Sequence, residues 1–258
     1  MVKQEWVLIQ GKRICAVTNN IDSDKSYAVG IIFLHGFSQT KSGAYGLFSQ
    51  ICESLDSSIP TLRFDNIGFG DSEGETYHAD LDSMIRNTEE MTSWFVNKAC
   101  CKKIIYIGHG VGNYIATVLV EKNPNNEAIL IMPQFKALDK EEKYRNIIKK
   151  IEIAEDYIDT SSISVWNEKM DDFFAILGGR MNRSKGIVVK REFLKEMVTF
   201  DIEEHFIHSG NIKALTDKAS DFRSTSINIL NDYELHDVLL LDMLEREKVI
   251  NSICECEW

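Results

Sequence analysis

The run Tyr106-Ile107-Gly108-His109-Gly110-Val111-Gly112-Asn113 joins an apolar stretch to an amphipathic one through three alternating glycines. A strand turning straight into a helix projects the residue at its centre above the sheet, where a serine would be a nucleophile. The central residue here is Gly110, which has no side chain, so no covalent acyl intermediate can form on it. Two other segments have related chemistry. His35-Gly36-Phe37 ends an apolar run, and a loop amide at such a point can bind a developing oxyanion. The segment Arg63-Phe64-Asp65-Asn66-Ile67-Gly68-Phe69-Gly70-Asp71-Ser72-Glu73-Gly74 follows the next apolar run and reads as a glycine-rich turn.

The elements that must position these turns follow from the hydrophobic pattern. Glu5–Ile9 and Arg13–Thr18 are β-rich runs around Gln10-Gly11-Lys12, a hairpin pattern. Ala28–Leu34, Thr61–Phe64, Lys103–Ile107 and Ala128–Met132 are continuous apolar runs, which suit strands buried on both faces. Between them, Tyr45, Phe48, Ile51, Cys52 and Leu55 recur at helical spacing. Leu81, Met84, Ile85, Thr88, Met91 and Phe95 do the same, as do Tyr114, Ile115, Val118 and Leu119. This alternation predicts an α/β fold with a mostly parallel, doubly wound sheet. From 135 to 200 the chain is highly charged and amphipathic, which predicts a helical cap inserted into a core made of 1–134 and 201–258. The strand rhythm is expected to return at His205–Ser209 (HFIHS) and Ser226–Leu230, with a helix around Leu215–Phe222 between them. A final helix over Val238–Ile253 would bury Leu240, Leu241, Leu244 and Ile253.

Composition narrows the function. The chain has 258 residues, 44% apolar and 27% charged, as in a soluble globular protein. Its net charge of −11 argues against a nucleic-acid surface, since phosphate binding leaves a basic footprint. The start MVKQEWVLIQGKR lacks the apolar core of a signal peptide, and no apolar run reaches the ~20 residues of a membrane span. A cytoplasmic location is therefore expected. The six cysteines show no paired metal spacing, and Cys254-Glu255-Cys256 reads as a frayed tail with ordinary thiols. His78, His205 and His208 lack partners at ligand spacing, so neither a metal nor a cofactor is expected. The glycine run could also be read as a phosphate loop, but it stands at the third parallel strand rather than the first, and no acidic residue follows at the required distance.

The order and spacing of the three motifs resemble the α/β-hydrolase superfamily, most closely its cinnamoyl-esterase and monoacylglycerol-lipase-like (serine-aminopeptidase-type) members. The resemblance is carried by residues 28–134. It implies an α/β-hydrolase fold in which Gly110 stands at the nucleophile position and the amides of Phe37 and Val111 form the oxyanion hole, with Gly36 on the same loop. Ser38 follows and could face the same pocket, though nothing in the sequence marks it as a replacement nucleophile. His236, in the loop 231–237, matches the family base. The family acid would follow the HFIHS strand, where Gly210-Asn211-Ile212-Lys213 offers no carboxylate and Asp217 lies further on. His35 and His109 are assigned to local structure.

The triad is therefore degenerate on this reading. The expected function is an atypical hydrolase-fold protein that binds a small-molecule or peptide-like ligand bearing a carbonyl group, or catalyses a non-hydrolytic isomerisation, epimerisation or cyclisation. Two amides aimed at one point could stabilise an enolate, and a histidine could move a proton. The alternatives are a serine esterase whose nucleophile was replaced and a non-catalytic partner-binding pseudo-hydrolase.

Overall fold

In the computed structural model, the described residues are 1–133, 142–159, 188–202, 211–216, 228–229 and 243–256. Strands β1 (Val2–Ile9) and β2 (Lys12–Asn19) form the expected antiparallel hairpin. Next come β3 (Tyr27–Leu34), α1 (Leu47–Ser54), β4 (Thr61–Phe64) and α2 (Leu81–Ala99). They are followed by β5 (Cys101–His109), α3 (Val111–Lys122) and β6 (Glu127–Ile131). Each apolar run became a strand of the main sheet, and each helical repeat became a helix.

The main sheet has eight strands in the order β1-β2-β4-β3-β5-β6-β9-β10, where β9 is Ile212–Leu215 and β10 is Asn228–Ile229. Only the β1–β2 and β2–β4 pairs are antiparallel. One apolar cluster joins Leu62, Phe64, Met91, Phe95, Tyr114 and Ile115 on one face. A second joins Ile31, Phe33, Phe48, Ile51, Val249 and Ile253 on the other. Burial on both faces is why β3, β5 and β6 read as unbroken apolar runs. The chain leaves β3 toward β4 on one side and returns to β5 on the other, so the carboxyl ends of β3 and β5 flank a switch point. Ligand crevices of open α/β sheets form at such points.

Two expectations about the carboxyl half are corrected. The strand beside β6 is Ile212–Leu215, with Ala128 opposite Ile212 and Ile131 opposite Leu215. Leu215 therefore ends a strand instead of beginning a helix. The HFIHS run lies outside the described residues. Both segments are short and apolar, and only pairing with β6 distinguishes them. The last helix, α6, is Met243–Cys254; it buries Glu245, Val249 and Ile253, whereas Leu244 is exposed. Leu240 and Leu241 lie outside the described residues. Cys254 closes this helix, and both Cys254 and Cys256 pack partly on the second apolar cluster, so they are not a frayed tail. Burial pushes both thiols up from their ordinary pKa.

Within 135–200, α4 (Arg145–Glu152) and α5 (Arg191–Thr199) are helical as the periodicity predicts. The two-stranded antiparallel sheet of β7 (Tyr157–Asp159) and β8 (Val188–Lys190) was not anticipated. Strands of three residues are too short to show a period. Lys190 Nζ donates to Asp80 Oδ2 (2.7 Å), and the Leu81 amide at the start of α2 donates to Glu196 Oε2 (3.3 Å). Burial raises the Glu196 pKa. Among the described residues no helix is long and apolar enough to cross a membrane.

Candidate functional site

The glycine turn has the geometry the sequence implies. β5 ends at His109, α3 begins at Val111, and Gly110 between them has φ 57° and ψ −126°. L side chains rarely adopt that conformation, and a residue with a Cβ held there stores about 1–3 kcal/mol of strain. The flanking glycines are sterically required. A Cβ on Gly112 would lie 2.0 Å from the Leu34 carbonyl oxygen, and one on Gly108 would lie 2.6 Å from the Gly112 oxygen. The first turn of α3 thus presses directly on the end of β3.

The side chain that fixes α3 is Asn113. Its Nδ2 donates to the Ile131 carbonyl (3.0 Å) and its Oδ1 accepts from the Ile131 amide (3.2 Å), tying the helix start to the end of β6. Thr117 Oγ1 then donates to the Asn113 carbonyl (2.8 Å). The sequence reading gave Asn113 no role. Its only signal was a polar residue where α3 otherwise presents apolar ones.

Leu34 pairs with Gly108 across β3 and β5, so the His35-Gly36 and His109-Gly110 turns leave the sheet at one level. His35 is buried; its Nδ1 donates to the Gly36 carbonyl (2.8 Å) and its Nε2 accepts from the Asn66 amide (3.1 Å). Those bonds specify the neutral ring, and burial pushes the pKa down, consistent with a structural histidine. Gln39 bridges the two turns, its Oε1 accepting from the Gly36 amide (3.2 Å) and its Nε2 donating to His109 Nδ1 (3.3 Å). His109 is likewise a buried structural residue. Phe37 is wholly buried, its ring 6.4 Å from Phe69 and 6.0 Å from Phe193 of α5. Val111 is also wholly buried, and Tyr114 stacks edge-on against Phe200 at 4.6 Å. Ser38 is half-buried with φ 52°.

The structure therefore brings Gly36, Phe37, Ser38, Gly110 and Val111 to one edge of the sheet and packs α5 over Phe37. His236 lies outside the described residues, in the chain between β10 and α6. The acid position is corrected. Asn211 to Lys213 enter and begin β9, which ends at Leu215, so in sequence Thr216 and Asp217 come next. A carboxylate thus follows the strand in sequence, and Asp217 itself is outside the described residues.

A second loop contact supports the site from below. Asp65, fully buried at the end of β4, accepts from the Lys41 amide (2.5 Å), Lys41 Nζ (2.8 Å) and the Asp71 amide (2.9 Å). Lys41 Nζ also reaches Asp71 at 2.6 Å. Burial opposes the Lys41 charge, but its hydrogen bonds to Asp65 and Asp71 outweigh that and hold its pKa above the ordinary lysine value. Gly70, with φ 54°, leaves room for this carboxylate, since a Cβ there would lie 2.3 Å from Asp65 Cγ. Ser72 Oγ donates to the Asp65 carbonyl (2.6 Å) and accepts from the Cys15 amide (2.9 Å). Cys15, Asp65 and Asp71 place their donor atoms within 4.8 Å of one another, but the Lys41 ammonium already neutralises that cluster. This arrangement is a lysine-centred latch between loops and does not fit a metal.

Comparison with known proteins follows from this geometry. The family model described as serine aminopeptidase, S33, matches residues 28–171. The 1-acylglycerol-3-phosphate O-acyltransferase ABHD5 of Mus musculus is 29% identical over 133 residues, 50% of this chain and 36% of the mouse protein. The chain thus spans about a third of the length of this curated relative. Among solved structures, the mouse α/β-hydrolase domain-containing protein 10 superposes with a TM-score of 0.64 at 15% identity, covering 97% of this chain and 96% of the other. Est1E from Butyrivibrio proteoclasticus, bound to ferulic acid, gives 0.60 at 15% identity, covering 97% and 100%. At such identities the structures establish the fold.

Proposed function

This chain belongs to the S33 serine aminopeptidase family of α/β-hydrolases, and from that premise we propose that it is an atypical member that binds an acyl, ester or peptide-like ligand at the Gly110 turn without forming a covalent acyl-enzyme. The observation that carries the reading is the turn itself. It keeps the unusual backbone of a nucleophile-bearing turn, with φ 57° and ψ −126°, and the tight glycine packing on both sides, yet presents no side chain. What such a turn would offer is backbone: the amides of Val111 and Phe37 as donors for a carbonyl oxygen. The helices and short strands of 135–200 would act as the cap over this crevice, anchored by Phe193 on Phe37 and Lys190 on Asp80. The resemblance to the mouse 1-acylglycerol-3-phosphate O-acyltransferase supports an acyl-bearing ligand. Any catalysed step would be a proton transfer stabilised at the oxyanion donors, as in isomerisation, epimerisation or cyclisation, with His236 as candidate base.

One observation favours a second reading, a serine acyl hydrolase whose nucleophile has been replaced. Because β9 ends at Leu215, Asp217 follows that strand by two residues in sequence and is a candidate for the family acid. A panel of p-nitrophenyl esters assayed on the unaltered chain and on Gly110→Ser separates the two. The proposed reading expects no esterase activity from either. Strong turnover by the unaltered chain overturns it, and activity appearing only in Gly110→Ser establishes the second reading.

A further inference from the structure

Asn66 is the second residue beyond β4 and is wholly buried. Its backbone is held on both sides: the amide donates to His35 Nε2 (3.1 Å) and the carbonyl accepts from the Phe69 amide (3.0 Å). Its side chain has no such support, because neither Oδ1 nor Nδ2 has a hydrogen-bond partner among the described residues. Asn113 shows what the same molecule does elsewhere with an equally buried amide, bonding both ends to Ile131. An orphaned buried amide costs about 1–3 kcal/mol, so a group left unpaired at both ends needs a reason.

Its location suggests one. Asn66 stands at the carboxyl end of β4, bonded through His35 to the loop that supplies Phe37. The Phe69 ring, three residues on, packs 5.6 Å from His35 and 6.4 Å from Phe37. This is the sheet edge where an open α/β fold receives its ligand. A carboxamide presents one donor and one acceptor side by side, and its full complement is a group with the same two functions on one edge. A ligand carboxamide satisfies both atoms of Asn66. An ester offers only acceptors and would leave Oδ1 unpaired.

We propose that Asn66 is a ligand-recognition residue of this crevice and that the acyl ligand it selects is a carboxamide, not an ester. The inference rests on the reading that the crevice binds an acyl group. The test is calorimetric titration of octanamide and methyl octanoate into the full chain, into Asn66→Leu and into Asn66→Ala, with Tm recorded for each protein. The unaltered chain is expected to bind octanamide about tenfold more tightly than the ester, equivalent to about 1.4 kcal/mol. Both variants should lose that preference. The Tm of Asn66→Leu should not fall, because an apolar replacement removes an unpaired group. Equal affinities in the unaltered chain, a preference retained in both variants, or a fall in Tm in both would overturn the role of Asn66. Equal binding of both compounds leaves the acyl-ligand reading standing, whereas no binding of either compound overturns that reading and the inference with it.

Discussion

Two turns at the same sheet edge are held in opposite ways. The Gly108–Gly112 turn is held by steric exclusion: two glycines accept backbone oxygens where a Cβ would sit, and no charge takes part. The Asp65 turn is held by charge: one buried carboxylate gathers two amides and the Lys41 ammonium. The first turn tolerates loss of its central side chain because nothing in its architecture uses that side chain. The second would not tolerate loss of Asp65, because the Lys41 and Asp71 amides would lose their acceptor and the largely buried Lys41 ammonium would keep only Asp71.

The contrast can be broken at several points. Gly112→Ala should do the most damage, at least about 3 kcal/mol by urea denaturation, because its Cβ meets backbone that cannot swing aside. A loss under about 1 kcal/mol would show that α3 does not press on β3 as described. Asp65→Ala should cost about 3 kcal/mol, and adding Lys41→Met should recover part of it, which a double-mutant cycle measures as a coupling. Gly110→Ala should cost only about 1–3 kcal/mol, the strain of a Cβ at that backbone conformation. A loss for Gly110→Ala as large as that for Gly112→Ala would erase the distinction between the centre and its flanks. Gln39→Leu should cost about 1–2 kcal/mol by removing the side-chain acceptor of the Gly36 amide and the bridge to His109.

The smallest effect is in pH dependence. Lys41 has its pKa raised in the fold, so the native state holds its proton more tightly than the unfolded chain. Its stabilisation is complete below the unfolded lysine value of about 10.4 and is lost as pH rises through the folded value. Urea midpoints should therefore decline above about pH 10, and the decline should be shallower in Lys41→Met. Identical slopes would indicate that the latch is not the titrating element.

Much of this architecture was legible in the chain. The apolar runs at 28–34, 61–64, 103–107 and 128–132 identify strands because burial on both faces suppresses any polar alternation. The glycines of the turn were equally readable, since only close backbone approach requires them at alternate positions. The carboxyl half was harder to read. IKAL is a short apolar segment with no period of its own, and reading its first residues as a loop and Leu215 as a helix start placed the expected acid before Asp217 in sequence. Leu244 was assigned to a buried helix face, but α6 buries Glu245, Val249 and Ile253.

The sequence by itself determined the strand and helix order from β1 to β6, the glycine at the centre of the turn and the absence of a serine there. These follow from local pattern and residue identity. Only the tertiary structure decided that IKAL pairs with β6, that Gln39 ties His109 to the Phe37 loop, that Lys41 closes on Asp65, and that Asn66 is buried with its amide unpaired. Each of those depends on contacts between residues far apart in the chain, and hydrophobic periodicity carries no information about which distant polar groups will meet.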